Sequence, residues 1–215
     1  MPTRPTTSVT QQAARHLSRR DATLKPVIAK LGELEPLGPG TEGRPSSHFG
    51  ALLRAIVGQQ LSTHAARAIY NRLAGLFDGH TPTAGQLLAY PAESLRAACG
   101  LSRPKVSYLY SLAEHTASGQ LDLDCLDDLP DEEVVAQLIT VRGLGEWTAH
   151  MFLIFHLARP DVLATGDLGI RKAIMNLYNL PDLPDAAAMR EIAEPWRPYR
   201  STACRYLWRS LDQKS

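Results

Sequence analysis

Apolar residues recur along this chain at helical spacings of three and four, and no alternating run of convincing strand length appears. Leu24, Ile28 and Leu31 predict a first amphipathic helix, and the Pro- and Gly-rich segment Pro36–Ser47 predicts a loop. Two helices follow, Phe49–Val57 and Thr63–Phe77, parted by the polar break Gly58-Gln59-Gln60-Leu61-Ser62. Thr83 with Gln86 has capping-box spacing and opens a short helix. Another short helix starts at Pro91, with Gly100 placed as its C-terminal cap. A longer one carries Val106, Leu109, Tyr110 and Leu112 and closes before Gly119, and Pro130-Asp131 starts the next. Leu168–Tyr178, Ala186–Ala193 and Tyr199–Leu211 complete about ten helices, so the expected class is all-α. Residues 1–17 read as a flexible tail, and 18–215 as one domain without internal repeats.

The most informative stretch is Leu138–Asp167. Val134, Val135, Leu138 and Ile139 form the apolar face of one helix. Trp147, Met151, Ile154 and Phe155 recur at helical spacing on the next. A link of about four or five residues between them predicts an antiparallel pair. Gly143 and Gly145 permit the sharp turn and leave backbone N–H groups uncovered at a helix N-terminus, where a phosphate can dock without a cationic side chain. The carbonyls of Ile139, Val141 and Leu144 are candidates to converge on a monovalent cation, Na+ or K+, at the hairpin. About twenty residues on, Asp167 precedes a predicted helix as an N-cap residue, where the helix dipole favours negative charge.

These residues resemble the helix-hairpin-helix motif, and the combination with Asp167 resembles the helix-hairpin-helix/Gly-Pro-Asp superfamily of base-excision DNA glycosylases. The usual proline of that loop is replaced, since Gly166 directly precedes Asp167. Within the superfamily the chain is most similar to the 3-methyladenine DNA glycosylase II family. Supporting segments are Leu53–Ser62 and Trp196–Ser201, and the likeness spans roughly residues 20–212.

The resemblance implies two lobes, roughly 50–165 and 18–49 with 166–215, around a DNA-binding groove. It implies that Asp167 is catalytic, that Trp147 and Trp208 wall a base pocket, and that Met151 stands where a relative has an aromatic. Gln60 and Leu61 match the position that wedges into DNA, which of the two being open, and His64 one turn on faces the minor groove. The amides near Gly143, Gly145 and Trp147 would hold phosphate, with Arg54, Arg67, Arg103, Lys105, Arg171 and Lys172 as candidates for further backbone contacts. Strand-cutting members carry a lysine at the position of Trp147, which cannot act as an amine nucleophile. The expected activity is therefore monofunctional: removal of alkylated bases from duplex DNA by base flipping, leaving an abasic site. Two other readings are a noncatalytic helix-hairpin-helix module and a glycosylase for uracil, mismatched or oxidised bases.

Composition narrows the surroundings of this chemistry. Cys99, Cys125 and Cys204 are scattered, which argues against a disulfide scaffold, a zinc site or an iron–sulfur cluster, and no cofactor is expected. No apolar run suits a membrane span, and a monomer in the cytoplasm (the bacterial nucleoid) or the nucleus fits the composition. The acids between Asp122 and Glu133 read as a solvated face with helix N-terminal charges. Basic and acidic residues number 23 and 22, so DNA contacts must come from a local basic face and backbone dipoles. Binding to duplex DNA should therefore weaken only shallowly with salt; a slope matching about ten or more neutralised phosphates would contradict this.

Overall fold

A computed structural model of the chain describes residues 8–212, and among these every regular element is helical. The helices are α1 (Val9–Arg20), α2 (Leu24–Leu31), α3 (His48–Gly58), α4 (Thr63–Gly75), α5 (Ala84–Ala89) and α6 (Ala92–Cys99). They continue with α7 (Arg103–Ala117), α8 (Asp131–Leu138), α9 (Glu146–Phe155), α10 (Leu168–Leu177), α11 (Ala186–Ala193) and α12 (Arg200–Asp212). Short 3-10 turns occupy Thr41–Gly43 and Glu194–Trp196. No described helix is long and apolar enough to cross a membrane.

Local signals set most of these boundaries. Thr83 and Gln86 form the capping box of α5, Gly100 ends α6 in the left-handed conformation, and Ser62 caps α4 after the polar break. One expectation fails. The segment assigned to a tail carries α1, opened by a capping box of Ser8 with Gln11, and Ala13 and Leu17 are fully buried. Its buried stripe holds one small and one large apolar residue in a strongly polar background. The part of that tail at residues 1–7 lies outside the described residues.

The chain divides into two compact units. One takes the described residues up to Leu37 together with those from Ala158 onward. In it α12 packs on α10, α2 and α1, and the Glu194–Trp196 turn rests on α1 and α11. Its polar anchor is Asp21, which closes α1 and is 8% exposed. Asp21 Oδ1 accepts from the amides of Thr23 (2.8 Å) and Leu24 (3.0 Å), and Oδ2 accepts from Trp196 Nε1 (2.6 Å) and the Tyr178 hydroxyl. Burial and this carboxylate push the Tyr178 hydroxyl up, keeping it a donor.

The second unit is Gly38–Leu157. Helix α3 runs through its core, with Leu52, Leu53, Ile56 and Val57 fully buried, against α4, α7 and α9. Helix α5 packs on α7, α6 on α4 and α7, and α8 pairs with α9.

A buried carboxylate that loses its charge leaves its donors poorly served. Asp21→Asn should lower the thermal midpoint by roughly 5–15 °C. An unchanged midpoint in a thermal melt would show that water serves these donors equally well.

Candidate nucleic-acid interface and active site

In the first unit the functional candidate is Asp167, only 8% exposed. It caps α10 as expected, its Oδ1 accepting from the Ile170 amide at 2.8 Å. The indole Nε1 of Trp208 donates to the same oxygen at 2.8 Å. Two donors on one oxygen, with Gly169 leaving little room beside it (an added Cβ would lie 3.0 Å from Oδ1), fix the carboxylate's orientation. Trp208, expected as an aromatic wall, thus acts on the carboxylate itself.

The loop that presents Asp167 is clamped by the Trp196–Ser201 segment. Ser201 Oγ donates to the Arg159 carbonyl (2.6 Å) and accepts from the Val162 amide (2.9 Å). Arg200 grips Asp161 through its carboxylate (2.7 Å) and its carbonyl (2.7 Å), and Arg197 adds a contact at 2.9 Å. Trp196, by contrast, is core, 0% exposed. Cys204, buried nearby, has its thiol pushed up to about 12 by desolvation, which leaves it chemically inert.

In the second unit the hairpin is longer than expected. Helix α8 stops at Leu138, and the link covers residues 139–145. Val141 and Leu144 pin it to the core, whereas Ile139, read as part of the buried face, is 49% exposed. Its position just past the end of α8 rotates it off that face. Gly143 is held at φ +93°, and an added Cβ would strike the Tyr108 ring at 2.2 Å, so both the conformation and the space demand glycine. Gly145 differs: it caps α9 with φ −104°, and an added Cβ would meet open space. Glycine there keeps the approach to the first amides of α9 bare.

Gln59, which sequence reasoning passed over, ties the break after α3 to this hairpin, its Nε2 donating to the Gly143 carbonyl at 2.7 Å. The adjacent Gln60 adopts a left-handed φ of +58° and is exposed, as is His64. Leu61 is 40% exposed and therefore no core leucine. Of the basic candidates, Lys105 donates to the Val57 carbonyl at the end of α3 (2.7 Å), and burial lowers its affinity for the proton. In the first unit Arg171 donates to the Pro184 carbonyl (2.9 Å). Arg67, Arg103 and Lys172 are exposed.

A cavity of about 350 Å³ opens in this second unit, within the range of small-molecule sites. Trp147, Met151 and Phe155, one row along α9, line it together with Phe152, His156, Leu61 and Arg54. Ile154, read on the same apolar face, does not share this row and is buried with Thr148, Ala149, Phe152 and Leu153. Trp147 is 45% exposed. Arg44, from the loop before α3, stacks over Phe155 at 4.7 Å and donates to its carbonyl at 3.2 Å, closing the C-terminal end of α9. Trp147, Met151 and Leu61 thus meet at one cavity, while Asp167 and Trp208 meet in the other unit.

Residues 53–198 match the family described as HhH-GPD superfamily base excision DNA repair protein. The chain is 35% identical to DNA-3-methyladenine glycosylase 1 of Schizosaccharomyces pombe, over 95% of this chain and 88% of the relative. It is 32% identical to the DNA-3-methyladenine glycosylase of Saccharomyces cerevisiae, over 92% and 78%. Among solved structures, a 3-methyladenine DNA glycosylase of S. pombe in complex with abasic DNA superposes with a TM-score of 0.82, at 33% identity, covering 94% of this chain and 97% of that one. A DNA-3-methyladenine glycosidase from Bacillus halodurans gives 0.78 at 34% identity, covering 92% and 88%.

The Trp208 contact predicts a split between shape and hydrogen bonding. Trp208→Phe keeps an aromatic face but removes the donor to Asp167, and single-turnover base release from methylated duplex DNA should fall about tenfold or more. Retention of the full rate would reduce Trp208 to an apolar wall.

Proposed function

The chain belongs to the HhH-GPD superfamily of base excision DNA repair proteins, and from that premise we propose that it is a monofunctional DNA glycosylase for alkylated bases of the 3-methyladenine type. The observation that carries this reading is the Asp167 carboxylate, oriented at a helix N-terminus by the Ile170 amide and the Trp208 indole.

The C1′–N bond breaks with its electron pair leaving on the base, and the sugar develops oxocarbenium character. Asp167 stabilises that positive charge and orients the water whose oxygen then bonds to C1′, the surplus proton passing to the carboxylate or to solvent. A base alkylated on a ring nitrogen is already cationic, so it departs as a neutral molecule without a general acid. Trp147 offers no amine at the position where strand-cutting members carry lysine, so the product is an intact strand with an abasic site. The reaction needs no cofactor.

The base reaches the enzyme by extrusion from the stack, at a cost of a few kcal/mol that is lowest for damaged pairs. The cavity walled by Trp147 and Met151 is its proposed receptor, where an aromatic face attracts a cationic base by about 0.5–2 kcal/mol. Leu61, an apolar side chain kept in water at the cavity rim, is the better candidate for the wedge, with Gln60 and His64 beside it on the groove side. The amides near Gly143, Gly145 and Trp147 are proposed to take a phosphate of the duplex. The hairpin carbonyls fit a monovalent cation as hard neutral oxygen donors. Those of Ile139 and Leu144 receive no backbone hydrogen bond among the described residues, and that of Val141 accepts one from Leu144 at 3.0 Å with a lone pair remaining. The enzyme is proposed to act as a monomer on duplex DNA.

The test is incubation with methylated duplex DNA, scoring alkali-labile abasic sites. Wild type should produce them, and Asp167→Asn should lose at least about a hundredfold in rate. Equal release by both proteins overturns the role of Asp167. Binding without release from any alkylated substrate would leave a noncatalytic module, and release of uracil or oxidised bases alone would move the substrate class.

A further inference from the structure

The cavity proposed to receive the base is apolar on most sides, yet one wall holds a histidine that the chemistry above does not use. His156, just past the end of α9, is 3% exposed and lines the cavity. Its ring stacks on Phe152 with centroids 5.0 Å apart. Its Nε2 lies 2.8 Å from Nδ1 of His48, and Nε2 of His48 lies 3.2 Å from the Asp127 carboxylate. Its own Nδ1 is buried and has no hydrogen-bond partner. A buried polar atom left unpaired costs about 1–3 kcal/mol, so its persistence in a cavity wall asks for a reason.

We propose that His156 reads the extruded base, its Nδ1 lone pair accepting a hydrogen bond from an exocyclic amino group, and that His48 and Asp127 are positioning residues that fix its tautomer. The proposal rests on the cavity being the base receptor. The polarity of the chain follows from its outer end. A carboxylate only accepts, so a His48 ring that carries a single proton holds it on Nε2, facing Asp127. Nδ1 of His48 is then an acceptor, and His156 Nε2 must donate to it. That leaves a bare lone pair on Nδ1 of His156. Burial, with repulsion from His48 adding to it, pushes His156 down to about 4 against the opposing pull of Asp127, so the ring is neutral at neutral pH. The guanidinium of Arg44 works in the same direction.

An acceptor in this wall distinguishes bases by what their edges carry. The amino group of 3-methyladenine can donate to it. An adenine whose exocyclic nitrogen is closed into an etheno ring has no hydrogen there and presents only a lone pair or a C–H. Apolar walls separate such bases weakly, whereas a buried polar atom that one base pairs and another does not separates them strongly.

The experiment measures affinity for duplexes carrying 3-methyladenine or ethenoadenine on a 2′-fluorinated sugar, which resists cleavage because it disfavours the oxocarbenium ion. The wild type should prefer the amino-bearing lesion. His156→Leu, close in volume, should cut that preference about tenfold or more by weakening the amino-bearing lesion alone. Asp127→Ala, on a side chain that is 66% exposed, should shrink the preference a few-fold without touching the cavity, and it decides the matter should His156→Leu fail to fold. Equal weakening of both lesions, or an unchanged ratio, overturns the proposal. Trp147→Ala separates the two layers: it should weaken both lesions alike, and if it weakens neither, the cavity is not the base receptor and both readings fall.

Discussion

One oxygen atom ties the fold of this protein to its chemistry. Oδ1 of Asp167 takes the free amide of Ile170 that every helix start must satisfy, and it takes the indole hydrogen of Trp208 as well. The carboxylate that begins α10 is therefore also the one we propose meets the developing cation. A flexible acid on a loop would reorganise when charge appears on the sugar; this one is oriented in advance, which on the proposed mechanism is where electrostatic catalysis would gain its advantage. Its orientation depends in turn on the loop behind it, held by Ser201 and by Arg200 on Asp161. That explains why the Trp196–Ser201 segment, remote in sequence, belongs to the same constellation.

The near-zero net charge also acquires a physical reading. Several basic side chains close off backbone carbonyls and so serve the fold: Lys105 at the end of α3, Arg44 at the end of α9, Arg205 on Glu35, Arg171 on Pro184. Few cations then remain for a duplex, and the hairpin amides are proposed to act in their place. Gly143 and Gly145 divide that task. The first is forced by a left-handed turn pressed against Tyr108, whereas nothing in the fold forces the second, which is proposed to leave room for the duplex.

Much of this could be read from the chain because the relevant signals are local. Capping residues lie within three positions of the amides they serve, so the starts of α4, α5 and α10 were legible, and the spacing of Gly143, Gly145 and Asp167 was enough to suggest the chemistry. Helix α1 was not legible, because its buried stripe comes down to Ala13 and Leu17 among polar neighbours. Ile139 misled for the opposite reason: its periodicity continued past the point where α8 ends. What stayed hidden were pairings made across the chain. Trp208 is 41 positions from the carboxylate it orients, Gln59 is 84 from the hairpin carbonyl it holds, and His48 is 108 from His156. No periodic pattern encodes such partners; only the packed fold brings them together.

The cavity shows how an enzyme of this kind can combine tolerance with selection. If the cavity is the base receptor, as proposed, the faces of Trp147, Phe152 and Phe155 and the flexible thioether of Met151 would attract any flat, electron-poor ring, with shallow geometric demands. Such walls rank bases by charge and area and discriminate poorly between edges. A single unpaired nitrogen in the same wall changes the balance, because a mismatch against it carries the full cost of a buried polar atom without a partner. Broad affinity from rings and narrow discrimination from one lone pair can then be altered independently. On the proposed reading, enlarging the pocket through Met151 would widen the range of bulk accepted, while the Asp127–His48–His156 chain would govern which hydrogen-bonding edge is welcome.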